Sequence, residues 1–260
     1  MTAGMLDRLL TAELFSLMLV FARLGSAAML MPGFGDAYVP SRAKLLLALS
    51  MTVVIAPGLS PSLPPLPPNI IDMFLLLGGE IAVGIFLGYL MRLMVSTLEI
   101  VGMIIAFQIG LSSAMIFNPM ISEQGSLVGV MLVTLAVVII FQTDTHHIMI
   151  RALIDSYSLF VPGQLPPVGD FSEMMTRMIA RSFRIAMELS GPFLLLITLL
   201  YFALGLLSRL MPQLQVFFVA LPLQLSLGYL LLILTLPTIM LTFLDGFIAV
   251  LTGYLRPIGN

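Results

Sequence analysis

FQIGLSSAMIFNPMISEQGS, residues Phe107 to Ser126, is the stretch on which the fold turns. It is apolar enough to continue a membrane helix, yet it is rich in glycine and serine, and Pro119 biases Asn118 away from the α conformation. A regular helix therefore cannot run through Asn118-Pro119. At membrane depth, non-helical backbone is tolerated only where it is buried in protein or lines a cavity, because lipid supplies no hydrogen bonds. Phe107, Met115, Phe117 and Met120 are large, deformable or aromatic groups able to seal such a cavity against water and to repack around cargo. An ordinary loop packed in a protein core fits the same residues.

On either side the chain is apolar in long runs: Leu14 to Met31, Ala43 to Ile55, Ile70 to Met91, Ile100 to Phe117, Leu127 to Phe141, Phe193 to Leu207 and Leu214 to Leu255. At about 20 residues per span, with splitting and merging, these predict roughly six to eight membrane-length helices. Composition agrees. Of 260 residues, 60% are apolar and 9% charged, against about 45–50% and about 25% in soluble domains. The fold class is all-α, a polytopic membrane-type helical protein with kinked and broken hydrophobic helices, and residues 1–260 read as a single hydrophobic domain.

Eleven Lys and Arg against thirteen Asp and Glu leave a formal charge of −2. Without a basic surplus to neutralise phosphates, nucleic-acid binding is excluded as a main role. The absence of cysteine removes disulfides, thiolate metal sites and cysteine nucleophiles. The start, MTAGMLDRLL, carries Asp7 and Arg8 and runs into an apolar stretch reaching Met31. That is longer than the roughly 7–15 residues of a cleavable signal core, so it reads as a retained helix. Tryptophan is absent, and seventeen prolines and twenty-one glycines are spread through the apolar runs. Interfacial belts usually use tryptophan, so something other than smooth spanning helices is being built.

The clearest linker is PSLPPLPP at Pro61 to Pro68, which no helix crosses because its prolines withhold N–H donors. A second break, from Val161-Pro162-Gly163 to Gly169, precedes Asp170-Phe-Ser-Glu173, which predicts a capped helix start. Basic residues are spread over successive segment ends, so positive-inside counting does not orient the chain. Glu13, Arg23, Glu80, Arg92 and Glu99 lie within apolar segments. Each costs about 2.5–3.5 kcal/mol at a lipid-facing helix centre, so they should face protein or water.

Three constellations stand out. Glu80, Gly84, Gly88 and Arg92 recur every four residues, extended by Ser96 and Glu99, along one helix face. Glu80 and Arg92 are some 18 Å apart along a helix and must find partners elsewhere. The row predicts a packing seam with charges paired across subunits, Gly84-x-x-x-Gly88 permitting close approach; an ion or proton relay through Glu80 and Glu99 is the other reading. Asp144-Thr-His146-His147 holds both histidines of the chain. Adjacent histidines on a helix point about 100° apart, so a polar helix-to-helix corner is favoured over a metal site. Glu173, Arg177, Arg181, Arg184 and Glu188 form one charged stripe on an amphipathic helix, either a solvated or membrane-surface face or a docking face for an acidic partner.

An ordered set of motifs joins these features: Pro32-Gly-Phe-Gly-Asp-Ala-Tyr-Val-Pro40 followed by Arg42 and Lys44; Gln108-Ile-Gly-Leu-Ser through Asn118-Pro119; Asp144-x-His146-His147 leading to Ala152-Leu153 and Ser156-Tyr157; and Met211-Pro-Gln213 through Phe217-Phe218 to Leu221-Pro222 and Gly228. Over essentially its whole length the chain resembles the FliR family of type III secretion export-gate proteins, flagellar and injectisome. It departs from the family pattern at Thr145, Gln215 and Ala220.

The resemblance implies a component without enzymatic activity or cofactor, assembled with FliP and FliQ into a helical multi-subunit export gate that FlhB contacts. It implies a location in the bacterial inner membrane at the flagellar basal body, with the gate projecting to the periplasmic side, membrane lipid around part of it and unfolded flagellar proteins as cargo. It also implies a pore plug on Gln108 to Gly125, carried by Gln108, Gly110, Leu111, Ser112, Ser113, Met115, Ile116, Phe117, Asn118, Pro119 and Met120. Interface or packing roles fall on Glu80, Gly84, Gly88, Arg92, Glu99, Arg177, Arg181, Arg184, Pro212 and Gln213. The alternative is a secondary transporter with a midplane site built from the broken segment, Glu80 and Glu99.

Overall fold

Long apolar runs with few internal stops become long helices. The computed structural model describes residues 2–111, 126–163, 168–211 and 216–254. Among these residues there is no strand, and seven α-helices follow in order: α1 (Thr2–Ala28), α2 (Ser41–Leu59), α3 (Ile70–Gln108), α4 (Leu127–Gln142), α5 (Thr145–Leu159), α6 (Val168–Leu210) and α7 (Val216–Tyr254). A 3₁₀ turn at Ser60–Ser62 ends α2 at the edge of the proline run, and Leu63 beyond it is already extended.

Among the described residues, the membrane-length helices are fewer and longer than the apolar runs predict. Four of them, within 41–62, 70–108, 171–210 and 220–253, are long and apolar enough to cross a membrane, or up to five if the bent pair α4 and α5 counts as one span. Merging accounts for one of the missing spans. The two runs read on either side of Arg92 to Glu99 are a single 39-residue α3, because Arg92-Leu-Met-Val-Ser-Thr-Leu-Glu99 holds neither proline nor glycine to stop it. In α6 the charged stripe and the apolar run from Phe193 are likewise continuous. This helix starts at Val168, so Asp170 lies inside its first turn rather than at a cap.

Pro57, Pro192, Pro222 and Pro237 sit within α2, α6 and α7. Each removes one ladder bond. Membrane helices tolerate this because neighbouring groups re-satisfy the backbone.

The chain divides into two compact units, one of residues 1–93, 141–178 and 247–260, the other of 94–140 and 179–246. In the first, α1 buries Phe15, Leu19, Leu24 and Ala27, while Met31 just beyond it, Leu87, Leu90 and Met91 of α3 and Met149 and Leu153 of α5 are also core residues. The α2 helix packs on α1 and buries only the small stripe Ala48, Thr52 and Ala56. In the second, Leu98, Val101 and Ile105 of α3, Leu132 and Ala136 of α4, Phe193 and Ile197 of α6 and Ile239 of α7 are buried.

Only 17–28% of each membrane-length apolar window is buried within the chain. The exposed remainder, such as Leu46, Val54, Phe74, Leu199, Phe202, Ile233 and Leu234, demands lipid or other hydrophobic subunits as its solvent.

Candidate gating segment and packing seams

The candidate gating segment begins where α3 stops. Gly110 adopts φ +84°, a left-handed conformation that suits glycine. The Leu111 N–H donates to the Ala106 carbonyl at 3.0 Å and the Gly110 N–H to the Phe107 carbonyl at 3.2 Å. These paired bonds make a Schellman cap, so α3 ends at Gln108, about ten residues before the break expected at Asn118-Pro119. Phe107, one of the groups expected to seal a cavity, is 70% exposed.

The chain resumes at Ser126, whose hydroxyl donates to the Gly102 carbonyl (2.9 Å) and accepts from the Gly129 N–H (3.2 Å). A Cβ on Gly102 would overlap the backbone of Gly129, so α3 and α4 cross in direct backbone contact. The two stems of the segment are thus tied together. Gln108, Gly110 and Leu111 belong to the first stem; Ser112, Ser113, Met115, Ile116, Phe117, Asn118, Pro119 and Met120 lie outside the described residues, as do Pro212 and Gln213.

The row on α3 forms a seam with α1. A Cβ on Gly84 would overlap Ser26 Oγ and the Arg23 carbonyl, and one on Gly88 would sit 2.6 Å from the Ala27 carbonyl oxygen. Glu80 finds its partner inside the chain, not across a subunit boundary. Arg23 Nε donates to Glu80 Oε2 (2.6 Å) and Nη2 to Oε1 (3.1 Å), in a pair whose residues are 1% and 3% exposed. The guanidinium also donates to the Phe160 carbonyl (2.9 Å) and Ser156 Oγ (3.4 Å) and lies 4.0 Å from the centre of the Tyr157 ring.

A fork with its donors distributed in this way meets the condition for burying an ion pair, that remaining protons be satisfied. Ser156, Tyr157 and Phe160 were not legible as partners of Arg23, since nothing in their spacing links them to it. Glu99 is exposed. Glu80 and Glu99 therefore occupy unlike environments, with Glu80 committed to Arg23.

Arg92 is also neutralised within the chain. It donates to Asp36, whose carboxylate further accepts from the Gly33 N–H (2.8 Å) and the Tyr38 hydroxyl (2.9 Å), while Lys44 Nζ donates to the Gly35 carbonyl (2.7 Å). Pro32 to Pro40 is thus a self-bonded corner between α1 and α2. Burial alone would raise the Asp36 carboxyl, but the hydrogen bonds from Arg92, Gly33 and Tyr38 and the Arg92 charge outweigh it and hold the pKa below the usual range. Partial burial, then the bond to Asp36, push Tyr38 up to about 12.

A depressed carboxyl stabilises the fold above its unfolded pKa of about 3.9 and loses that contribution as pH falls through the lower folded value. Thermal unfolding of the detergent-solubilised protein should therefore show an acid limb below about pH 4 that Asp36→Asn flattens, on a plateau lowered by about 1.5–3 kcal/mol. An unchanged acid limb in the variant would assign that limb to other carboxyls.

At the second corner Asp144 is left-handed, with φ 56°. The two histidines do not diverge as their spacing predicts. Their rings lie 4.1 Å apart, centre to centre, with His146 stacked on Phe141 at 5.0 Å. Donor atoms of Asp144, His146 and His147 all fall within 4.8 Å of one another, and His147 Nδ1 stands 3.5 Å from Asp144 Oδ1. The two imidazole planes are tilted by 38°, and the three side chains can approach a common point.

On α6 the stripe is internally paired at its ends. Arg177 donates to Glu173 (2.5 Å) and Arg184 to Glu188 (2.8 Å), all four exposed. Arg181 between them has no ionic partner among the described residues.

Comparison with known proteins gives the relatives of the chain. The family described as bacterial export proteins, family 1, matches residues 14–249. The chain is 34% identical to the flagellar biosynthetic protein FliR of Caulobacter vibrioides over 88% of its own length and 91% of that protein. It is 31% identical to FliR of Bacillus subtilis over 83% and 84%. Similarity extends to the Yop proteins translocation protein T of Yersinia pestis, 30% identical over 62% of each chain.

Proposed function

The chain belongs to the bacterial export proteins, family 1, and is a component of the flagellar type III export apparatus; from that premise we propose that it is a structural subunit of the export gate, lining part of the pore and contributing its plug. It acts by shape and hydrophobic sealing, without catalytic turnover. Its neighbours are FliP, FliQ and FlhB, its cargo is unfolded flagellar protein, and it sits in the inner membrane at the basal body with the gate projecting to the periplasmic side. Arg177, Arg181 and Arg184 offer a docking face, in which Arg181 is the charge left for a partner.

One observation carries the reading. The two stems that flank residues 112–125 are locked to each other by Ser126 and by the Gly102 and Gly129 contact. Function-bearing loops are typically mounted on a rigid base of this kind. The helices support it as well: 39 residues of α3 extend about 58 Å, nearly twice the roughly 30 Å hydrocarbon core of a bilayer.

Replacing Ser112 to Met120 by a short Gly-Ser linker should leave assembly with the other gate subunits intact and raise ion leak through liposomes holding the purified complex. Parent-level leak from a normally assembled complex would remove the plug role. Family membership does not favour the transporter alternative, and Glu80, already paired with Arg23, is not free to serve it.

A further inference from the structure

Gln224 is a buried amide, 3% exposed, in the apolar helix α7. Both ends of its side chain are used. Nε2 donates to the backbone carbonyl of Gln108 at 2.5 Å, and Oε1 accepts from the Tyr201 hydroxyl of α6 at 3.3 Å. The assignment of nitrogen and oxygen is dictated by the partner, because a carbonyl can only accept. Gln108 is the last residue of α3. The Schellman bonds cover the carbonyls of Ala106 and Phe107, and Gln224 takes the next one.

Packing reinforces the contact. A Cβ on Gly110 would lie 3.3 Å from Gln224 Nε2, and one on Gly228, a turn further along α7, would overlap the Ile109 side chain. Residues 108–110 are thus gripped by α7 through one hydrogen bond and two close approaches, with Tyr201 orienting the amide from α6. An apolar side chain of similar volume would fill the site. Only a side chain that both donates and accepts can join the three helices here.

We infer that Gln224 is a positioning residue for the gating segment: by holding the Gln108 carbonyl it fixes the point at which the chain leaves α3, and couples that point to α6 and α7. This rests on the proposal that the segment carries the plug, but its test can fail separately. Because the chain has no cysteine, Leu111→Cys gives a unique spin-label position in this subunit, at the edge of the grip. In the complex assembled with cysteine-free partners, the label should be immobilised in the parent and shift to a mobile spectrum in Gln224→Leu.

Gln224→Glu is the near-isosteric control. A neutral carboxyl keeps the donor and an ionised one loses it. Its label should be as immobile as the parent's at acidic pH and should become as mobile as that of Gln224→Leu as the carboxyl ionises. Tyr201, the titratable group bonded to the site, is shared by the parent, whose spectrum over the same range subtracts its effect.

Parent-like immobility in Gln224→Leu would overturn the inference. So would a mobile label in Gln224→Glu at acidic pH, since the donor would then be present without effect. If Gln224→Leu does not assemble, the Gln224→Glu spectrum at the two ends of its titration decides alone: a change supports the grip and constancy overturns it. Leak from the chain lacking Ser112 to Met120 judges the plug reading independently of the label.

Discussion

Glu80→Leu should destabilise the protein by about 3–5 kcal/mol, because it strands the Arg23 guanidinium in a site that solvent does not reach. The carboxylate receives two of the donors of Arg23, and what remains, the Phe160 carbonyl, Ser156 Oγ and the Tyr157 ring, supplies no compensating charge. The double variant Arg23→Met with Glu80→Leu should recover most of the loss, since removing both charges also removes both desolvation costs. Thermal unfolding in detergent, followed by helical circular dichroism, measures the three variants. A single variant within about 1 kcal/mol of the parent would show that the pair is not the electrostatic anchor of the α1 and α3 seam.

The second large effect is steric. Gly84→Ala places a methyl group against the Arg23 carbonyl, which is backbone and cannot rotate away. The helices must separate, and overpacking of this kind costs about 1–3 kcal/mol, more for Gly84→Val. Gly78, on the same helix, has open space around its Cβ position. Gly78→Ala should therefore stabilise by up to about 1 kcal/mol through helix propensity. The same substitution six positions apart then changes stability in opposite directions, and equal shifts in melting temperature would contradict close packing at Gly84.

Much of the architecture was legible in the residues. Apolar runs of membrane length, proline linkers at Pro61 to Pro68 and around Pro162, and a loss of regular helix somewhere within Phe107 to Ser126 follow from backbone chemistry that acts locally. Asn118-Pro119 lies outside the described residues, and the end of α3 was hard to read because Pro119 is the louder signal. Gly110, a single glycine among apolar residues, is the actual stop, and it reveals itself only through its positive φ and the cap it permits.

Charges were harder to place. Their presence in apolar segments required partners, yet Arg23 lies 57 residues from Glu80 and Asp36 lies 56 from Arg92. No periodicity relates positions so far apart, so assigning them to other subunits was as economical as finding them at home. Gln224 drew no attention, because one amide in a long apolar helix has no spacing to betray its use.

By itself, then, the sequence determined what must be helical, what must leave water, and where the chain cannot continue straight, since these depend on each residue's own torsions and transfer free energy. Tertiary structure decided which charge neutralises which, that Gly84 and Gly102 are there for contact with another helix, and that α3 hands the chain over at Gln108 under the grip of α7. Those outcomes depend on the free energy of pairs distant along the chain, which exists only once the helices have met.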